Sequence, residues 1–256
     1  MTQNTVEAAA RALTRAHNVV VFTGAGVSRE SGIATFRDPE EGLWTKYDAM
    51  QMATLEGYVR DPAYVWSWYE HRFGTVAAAE PNPGHRAIAE LERLFPGVVV
   101  ITQNIDGLHQ RAGSSDVIEL HGTMNRFACL HRWHGGFTLE DLSDQEERPP
   151  RCPECGELIR PDVVWFGEAL PEDELRRAQL LAGSCDAMLV VGTSGVVFPA
   201  AALPLQASEA GAVVVDVNPE PGALSGKATI YLKGRGGDIL PRLLEEIRAR
   251  REEPKG

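Results

Sequence analysis

Three polar clusters follow directly on apolar runs, where the end of a strand would present them to a ligand. After Val19-Val20-Val21-Phe22 comes Thr23-Gly24-Ala25-Gly26-Val27-Ser28, continuing through Arg29 to Gly32 and Ile33. Glycines there allow the main chain to approach a pyrophosphate, and N–H groups opening a following helix can hold it, although a plain tight turn would read the same way. Arg29 breaks the G-x-G-x-x-G pattern, and the nearby acidic residues Asp38, Glu40 and Glu41 fall in a Pro- and Gly-containing loop. A dehydrogenase-type site would want that acid ending a second strand, so this class is disfavoured. After Val98-Val99-Val100-Ile101 comes Thr102-Gln103-Asn104-Ile105-Asp106-Gly107-Leu108-His109. Its amides and carboxylate suit a ribose and a carboxamide, and equally a polar turn capping a helix. The third cluster is Glu119-Leu120-His121-Gly122. An imidazole with an ordinary pKa of about 6.5 can abstract a proton at neutral pH, although a lone histidine is more often structural.

Two further groupings could bind. In Tyr64-Val65-Trp66-Ser67-Trp68-Tyr69-Glu70-His71-Arg72, Tyr69 and Arg72 stand at i and i+3 of a helical stretch, on one face. A guanidinium fork with a phenol beside it matches a carboxylate; a core tyrosine and a surface arginine is the plainer alternative. Cysteines occur at 129, 152, 155 and 185, with Cys152-Pro153-Glu154-Cys155 at metal-ligand spacing. Without a secretion signal, metal binding or buried thiols come before disulfides.

These groups need a scaffold. Further apolar runs, Ala187 to Val191 and Val213 to Val215, read as buried parallel strands. Helical patterns cover 5–17, Gly84 to Phe95 with Asn82 as a cap, Glu172 to Leu181 and Ala200 to Ala210. Such alternation predicts an α/β fold, a parallel sheet with helices on both faces. Two stretches interrupt it: 39–79, rich in aromatic residues, and 126–166, holding three of the cysteines. Both read as insertions forming a smaller module that walls a cleft at the strand ends. The expected division is thus 1–38, 80–125 and 167–256 for the large domain, and 39–79 with 126–166 for the small one. A net charge of −11 disfavours nucleic-acid binding. The N-terminus lacks a signal pattern, no apolar run would span a bilayer and no lipidation motif ends the chain, so a cytoplasmic protein without membrane attachment is expected, a monomer by default.

Taken in order, G-A-G-x-S-x-x-S-G-I-x-x-F-R, T-Q-N-I-D-G-L-H and E-L-H-G-T resemble the sirtuin family. Val163-Val164-Trp165-Phe166-Gly167-Glu168, Gly192-Thr193-Ser194 and Val217-Asn218-Pro219 extend the match over about residues 5–245. The resemblance implies a Rossmann-like NAD-binding domain carrying a smaller helical and zinc-ribbon-like domain. It implies removal of acyl groups from protein lysines with NAD, giving nicotinamide and O-acyl-ADP-ribose. Carried over, Gly24, Ala25, Gly26 and Ser28 would hold phosphates, and Phe36, Arg37 and Trp44 belong with the cofactor. Gln103 and Asn104 would face the nicotinamide-side ribose, and Ile105 and Asp106 the carboxamide. Gly192, Thr193, Ser194, Asn218, Pro219, Glu220 and Gly236 would face the adenosine half. His121 would be the general base, and residues 163–168 would pair with the acyl-lysine peptide as an added strand. Within the family, Tyr69, Arg72, small Ala53 and Trp165 resemble members that remove succinyl and malonyl groups. The expected partners are therefore acylated lysine-containing proteins. Protein ADP-ribosyl transfer from the same NAD site is the rival activity.

The family's zinc module uses two Cys-x-x-Cys pairs. Here the second is intact, but in Cys129-Leu130-His131-Arg132 an arginine stands where the fourth cysteine would be. With Cys129, Cys152 and Cys155 kept, His134 or His131 could complete a Cys₃His site, His134 being the sterically easier. A site completed by water and no site at all stay open.

Overall fold

A computed structural model describes residues 3–35 and 43–252, with the side chains of 3, 4 and 44 outside the description. Its centre is a six-stranded sheet, all of whose pairings are parallel. In chain order its strands are β1 (Asn18–Thr23), β2 (Gly97–Thr102), β3 (Val117–Glu119), β7 (Ala187–Val191), β8 (Val213–Asn218) and β9 (Ile230–Lys233). The spatial order β3-β2-β1-β7-β8-β9 reverses direction between β1 and β7. That is the strand order of a Rossmann-like fold, with its ligand crevice at the reversal.

Continuous apolar runs are expected of strands covered on both faces, and β1 shows why. Val19 and Val21 pack with helices Gln3–Thr14, Pro83–Leu91 and Gly236–Glu252. Val20 and Phe22 point to the opposite face, where helices Glu172–Ala182 and Leu203–Glu209 lie. Asn82 caps its helix as predicted, accepting N–H bonds from Gly84 and His85 before Pro83 opens the first turn.

The interrupting stretches form separate elements. Short helices Leu43–Lys46, Ala49–Met52 and Leu55–Arg60 lead into the long helix Pro62–Ala78. Asp61 caps the long helix through the Tyr64 N–H, with Pro62 in its first turn. β4 (Gly122–Cys129), β5 (Gly135–Phe137) and β6 (Ile159–Val163) make a three-stranded antiparallel sheet in the order β5-β4-β6. Helix Pro62–Ala78 packs both ways: Trp66 joins Phe127, Cys129 and Ile159, whereas Trp68 and Tyr69 join Met124, Val163 and Trp165. Among the described residues no helix is long and apolar enough to cross a membrane.

Candidate functional site

A cleft of about 820 Å³ opens at the carboxyl ends of β1, β2, β7 and β8, and segments 53–72 and 163–168 close it. Of the predicted site residues, Gly24, Ala25, Gly26, Gln103, Asn104, Ile105, His121 and Gly192 line it, as do Thr193, Ser194, Asn218, Pro219, Glu220 and Gly236. Ala53, Tyr69, Arg72 and the whole run Val163 to Glu168 line it from the other side. Phe36 and Arg37 lie outside the described residues. Trp44 lies in helix Leu43–Lys46, its side chain outside the description.

On the strand-end side the main chain is closely interlocked. Gly24 N–H donates to Val191 O at 3.1 Å and Gly26 N–H to Gly192 O at 2.8 Å. A Cβ on Gly26 would lie 2.7 Å from Gly192 O, and one on Gly192 would lie 2.3 Å from Val27 N. Gly192 also has φ +62°, in the left-handed region that glycine tolerates. These glycines thus let two loops touch as well as leaving room for a ligand. Gly26 N–H is already engaged with Gly192 O.

Ser28 and Asp106 do not line the cleft; they stand behind its wall. Ser28 Oγ donates to Asp106 Oδ2 at 2.7 Å and accepts from Asn104 Nδ2 at 3.0 Å, while Asp106 Oδ1 accepts Leu108 N–H. Burial pushes the Asp106 carboxyl up, against the bonds from Leu108 and Ser28. The triad holds Asn104 at the surface of the cleft, and Gln103 Nε2 is fixed on Thr193 Oγ1 at 3.0 Å. Asn218 is tied to buried Asp216 at 2.7 Å. Beneath them lie His85 and His109, T-stacked at 4.9 Å, which burial lowers to about 4 and about 3 respectively. They are neutral at pH 7 and belong to the support.

His121 sits between β3 and β4, where the two walls meet. Its Nδ1 is 2.9 Å from Gln103 O. A carbonyl only accepts, so Nδ1 carries the proton and the Nε2 lone pair is the ring's basic atom. Burial lowers its pKa from the ordinary histidine value, outweighing the bond to Gln103.

On the opposite wall, side chains rather than main chain define the shape. Tyr69 and Arg72, both buried, face the cleft from adjacent helical turns as their spacing predicts. Trp165 Nε1 donates to Tyr69 Oη at 2.8 Å, which occupies an acceptor site and leaves the phenol O–H to donate. Arg72 lies 4.8 Å from the centre of the Trp68 ring. Burial pushes its pKa down, while Tyr69 and Asp106 favour its charged form. Trp165 is itself held by Arg160, stacked at 3.5 Å and bonded to Glu168. Glu168 therefore serves the wall: its carboxylate also accepts the Trp165 N–H at 2.8 Å. Burial alone would raise that carboxyl, but the Arg160 and Trp165 bonds bring it below its ordinary value. The amides of Val164 and Phe166 are likewise engaged, with His121 O and Ala53 O.

The sequence reading missed Trp68, Arg160 and Phe198. Trp68 stands four residues before Arg72, a helical spacing that signals contact. Phe198, exposed at the mouth, ends an apolar run after a strand, which marks a surface patch. Arg160 carried no signal, since only the fold brings it under Trp165.

Outside the cleft, Cys129, Cys152, Cys155 and His134 place their donor atoms within 4.8 Å of one another. His134 Nδ1 is 4.0 Å from Cys129 Sγ and 3.8 Å from Cys152 Sγ. Zinc bonds of about 2.3 Å to sulfur and about 2.0 Å to nitrogen give tetrahedral edges of about 3.5–3.8 Å, so the set fits zinc. His131 is not part of it, its ring lying 4.9 Å from that of Trp133, and Cys185 is buried with the main sheet.

The Sir2 family's sequence profile matches residues 24–199. An NAD-dependent protein deacylase of Pyrobaculum aerophilum is 53% identical over 93% of this chain and 94% of its own. One of Pseudomonas aeruginosa is 49% identical over 91% of this chain and 95% of its own. A solved Sir2 homolog–NAD complex superposes with a TM-score of 0.88 at 40% identity, covering 95% of this chain and 94% of its own. Sir2Af2 bound to a myristoylated histone peptide gives 0.79 at 38% identity, covering 98% and 100%. With a family profile over residues 24–199 and relatives matched across nearly its whole length, the chain belongs to the Sir2 family.

Proposed function

We propose that the protein is an NAD-dependent protein-lysine deacylase with a preference for short acidic acyl groups. The observation that carries the activity is His121, with Nδ1 on Gln103 O and a basic Nε2 at the junction of the two walls. The likeness to deacylases and to an NAD complex supports it. The strand-end wall fits a dinucleotide: glycine-built loops with side chains of three further strand ends sit at the crevice where such ligands bind. When bound, NAD supplies the anomeric carbon from which nicotinamide leaves and to which the acyl oxygen joins, O-acyl-ADP-ribose being the product. Gln103 and Asn104 would orient the ribose, and His121 Nε2 would take the proton of its hydroxyl as that oxygen bonds the acyl carbon. One water is consumed, the bond from the acyl carbon to the lysine nitrogen breaks and the free amine leaves. The cleft as a whole holds the two reactants in line, a large part of any such rate enhancement. Cys129, Cys152, Cys155 and His134 would hold zinc, which braces the β4–β5 turn and takes no part in the chemistry.

Acidic acyl preference is supported by Tyr69 and Arg72. One offers an O–H, the other a planar pair of N–H donors, matching the two oxygens of a succinyl or malonyl carboxylate. Ala53, small and buried on the same wall, leaves length for the chain. The test is NAD-dependent turnover of acetyl-, malonyl- and succinyl-lysine peptides side by side. Succinyl or malonyl turnover at least matching acetyl turnover is expected; acetyl turnover alone would overturn the preference. Labelled NAD separates the rival activity: label in O-acyl-ADP-ribose is expected, and label on protein would favour ADP-ribosyl transfer.

A further inference from the structure

The arginine that replaces the fourth cysteine has been placed elsewhere by the fold. Cys129 N–H donates to His134 O and Arg132 N–H to Cys129 O, at 2.8 and 2.7 Å, closing the tight turn that delivers His134 to the cysteines. Arg132 occupies its centre with φ +59°, the one positive φ outside glycine among the described residues. A side chain with a Cβ is strained in that region, where Gly or Asn would be preferred. Its guanidinium spans from this turn to the neighbouring strand β6 and beyond: it bonds Asp162 Oδ1, reaches Val163 O at 3.4 Å and lies 3.6 Å from Glu168 Oε2. Asp162 and Val163 end β6, and Glu168 closes the segment that lines the cleft. Val163 O also accepts from Arg160 at 2.9 Å, so two arginines secure the start and end of one loop from its outer side. The outer side is open, since a second cavity of about 810 Å³ lies there, lined in part by Arg132, Asp162 and Glu168. On that side the loop is held by ion pairs, while Trp165 anchors its inner side in the core.

We propose that Arg132 is a positioning residue for acyl-peptide binding, a brace that ties the turn carrying the histidine metal donor to the peptide-facing segment 163–168. This deepens the deacylase proposal and rests on its assignment of that segment. A cysteine at 132 could serve only the metal; an arginine lets His134 take over that duty and couples the turn to the cleft wall.

The test uses the whole protein with Arg132→Asn and Arg132→Lys. Asparagine accepts the left-handed backbone better but loses the ion pairs, so a merely structural role predicts a shifted melting temperature with unchanged kinetics. The brace predicts that Arg132→Asn raises KM for the acyl-lysine peptide about three- to tenfold, the range of one partly exposed charged hydrogen bond. KM for NAD and the zinc-to-protein ratio stay at wild-type values, and amide exchange across 162–168 speeds up. Arg132→Lys, a point charge without the fork, recovers part of the loss. Unchanged peptide KM in Arg132→Asn overturns the proposal, as does loss of zinc in step with peptide KM, which would make the effect one of metal binding. Faster exchange with unchanged peptide KM also overturns it, and locates the error in the role given to the segment. A wild-type protein that turns over no acyl-lysine peptide would fell the deacylase assignment and the proposal together.

Discussion

The two walls of the cleft are built on different principles. At the strand ends, backbone meets backbone: Gly24, Gly26 and Gly192 bring the loops after β1 and β7 into contact, and polar side chains bond to each other behind the surface. Across the cleft, a relay of large side chains defines the surface, from Glu168 and Arg160 through Trp165 to Tyr69. The first wall has little freedom to vary, because any Cβ at its contact points meets main chain. The second can change by single side-chain substitutions while β6 and helix Pro62–Ala78 stay in place. A fixed dinucleotide suits the first wall, and a choice among acyl groups suits the second.

The largest effect should come where the walls meet. His121→Ala removes the only base proposed, so deacylation should fall about 10²- to 10⁴-fold. NAD binding, measured by calorimetry, should change little, because the contacts of the glycine loops survive. Near-normal turnover would end the assignment. The pH profile sharpens it: burial lowers the folded pKa of His121. The neutral, active form therefore persists below the ordinary value of about 6.5. Activity should be full at neutral pH and be lost only as pH falls through that lower value.

Next in size is Arg72→Met on the acyl wall. A lost bond between charged groups costs about 1.5–3 kcal/mol, so succinyl-lysine kcat/KM should drop about 10- to 100-fold while acetyl-lysine falls far less. Equal losses for both would show that Arg72 supports the fold of the helix and does not read the acyl group.

The same contrast explains what could be read in advance. The strand-end wall was legible because its residues are contiguous: each loop follows its own strand, so one apolar run and the motif after it give both position and chemistry. The parallel sheet was legible for the same reason, runs such as Val19 to Phe22 being apolar on both faces. Helical spacing put Tyr69 and Arg72 on one face, but only the family resemblance pointed them at an acyl group. Arg160 and Arg132 were not, because they reach Trp165 and Glu168 only after β4, β5 and β6 have paired. Ser28 and Asp106 were found as residues, but a motif does not say which side chains turn inward, and here the two bond each other behind the lining. Of the two candidate histidines, His134 is the one the turn at Arg132 carries back to the cysteines.

Gly192→Ala should break the first wall with a moderate effect. The new Cβ would lie 2.3 Å from Val27 N in a left-handed residue. Strain of about 1–3 kcal/mol at such a position should lower the melting temperature by several degrees and weaken NAD about tenfold. The ratio of succinyl to acetyl turnover should stay as in the wild type, because the second wall is untouched. A changed ratio would mean that the walls are coupled.

Tyr69→Phe is the smallest and most discriminating change. It removes one oxygen and keeps the ring among Trp68, Phe73 and Trp165, so packing is retained. Two groups then lose a partner: the Trp165 indole N–H, and the acyl carboxylate if the phenol donates to it. The first loss falls on all substrates alike and should appear as a modest drop in stability, about 1 kcal/mol for a buried donor left without its acceptor. The second falls on acidic acyls only and should reduce succinyl relative to acetyl turnover about three- to tenfold. Lower stability with an unchanged ratio would assign Tyr69 to the relay that orients Trp165 and leave Arg72 as the sole reader of the acyl charge. A changed ratio at nearly full stability would make the phenol itself the second half of the clamp.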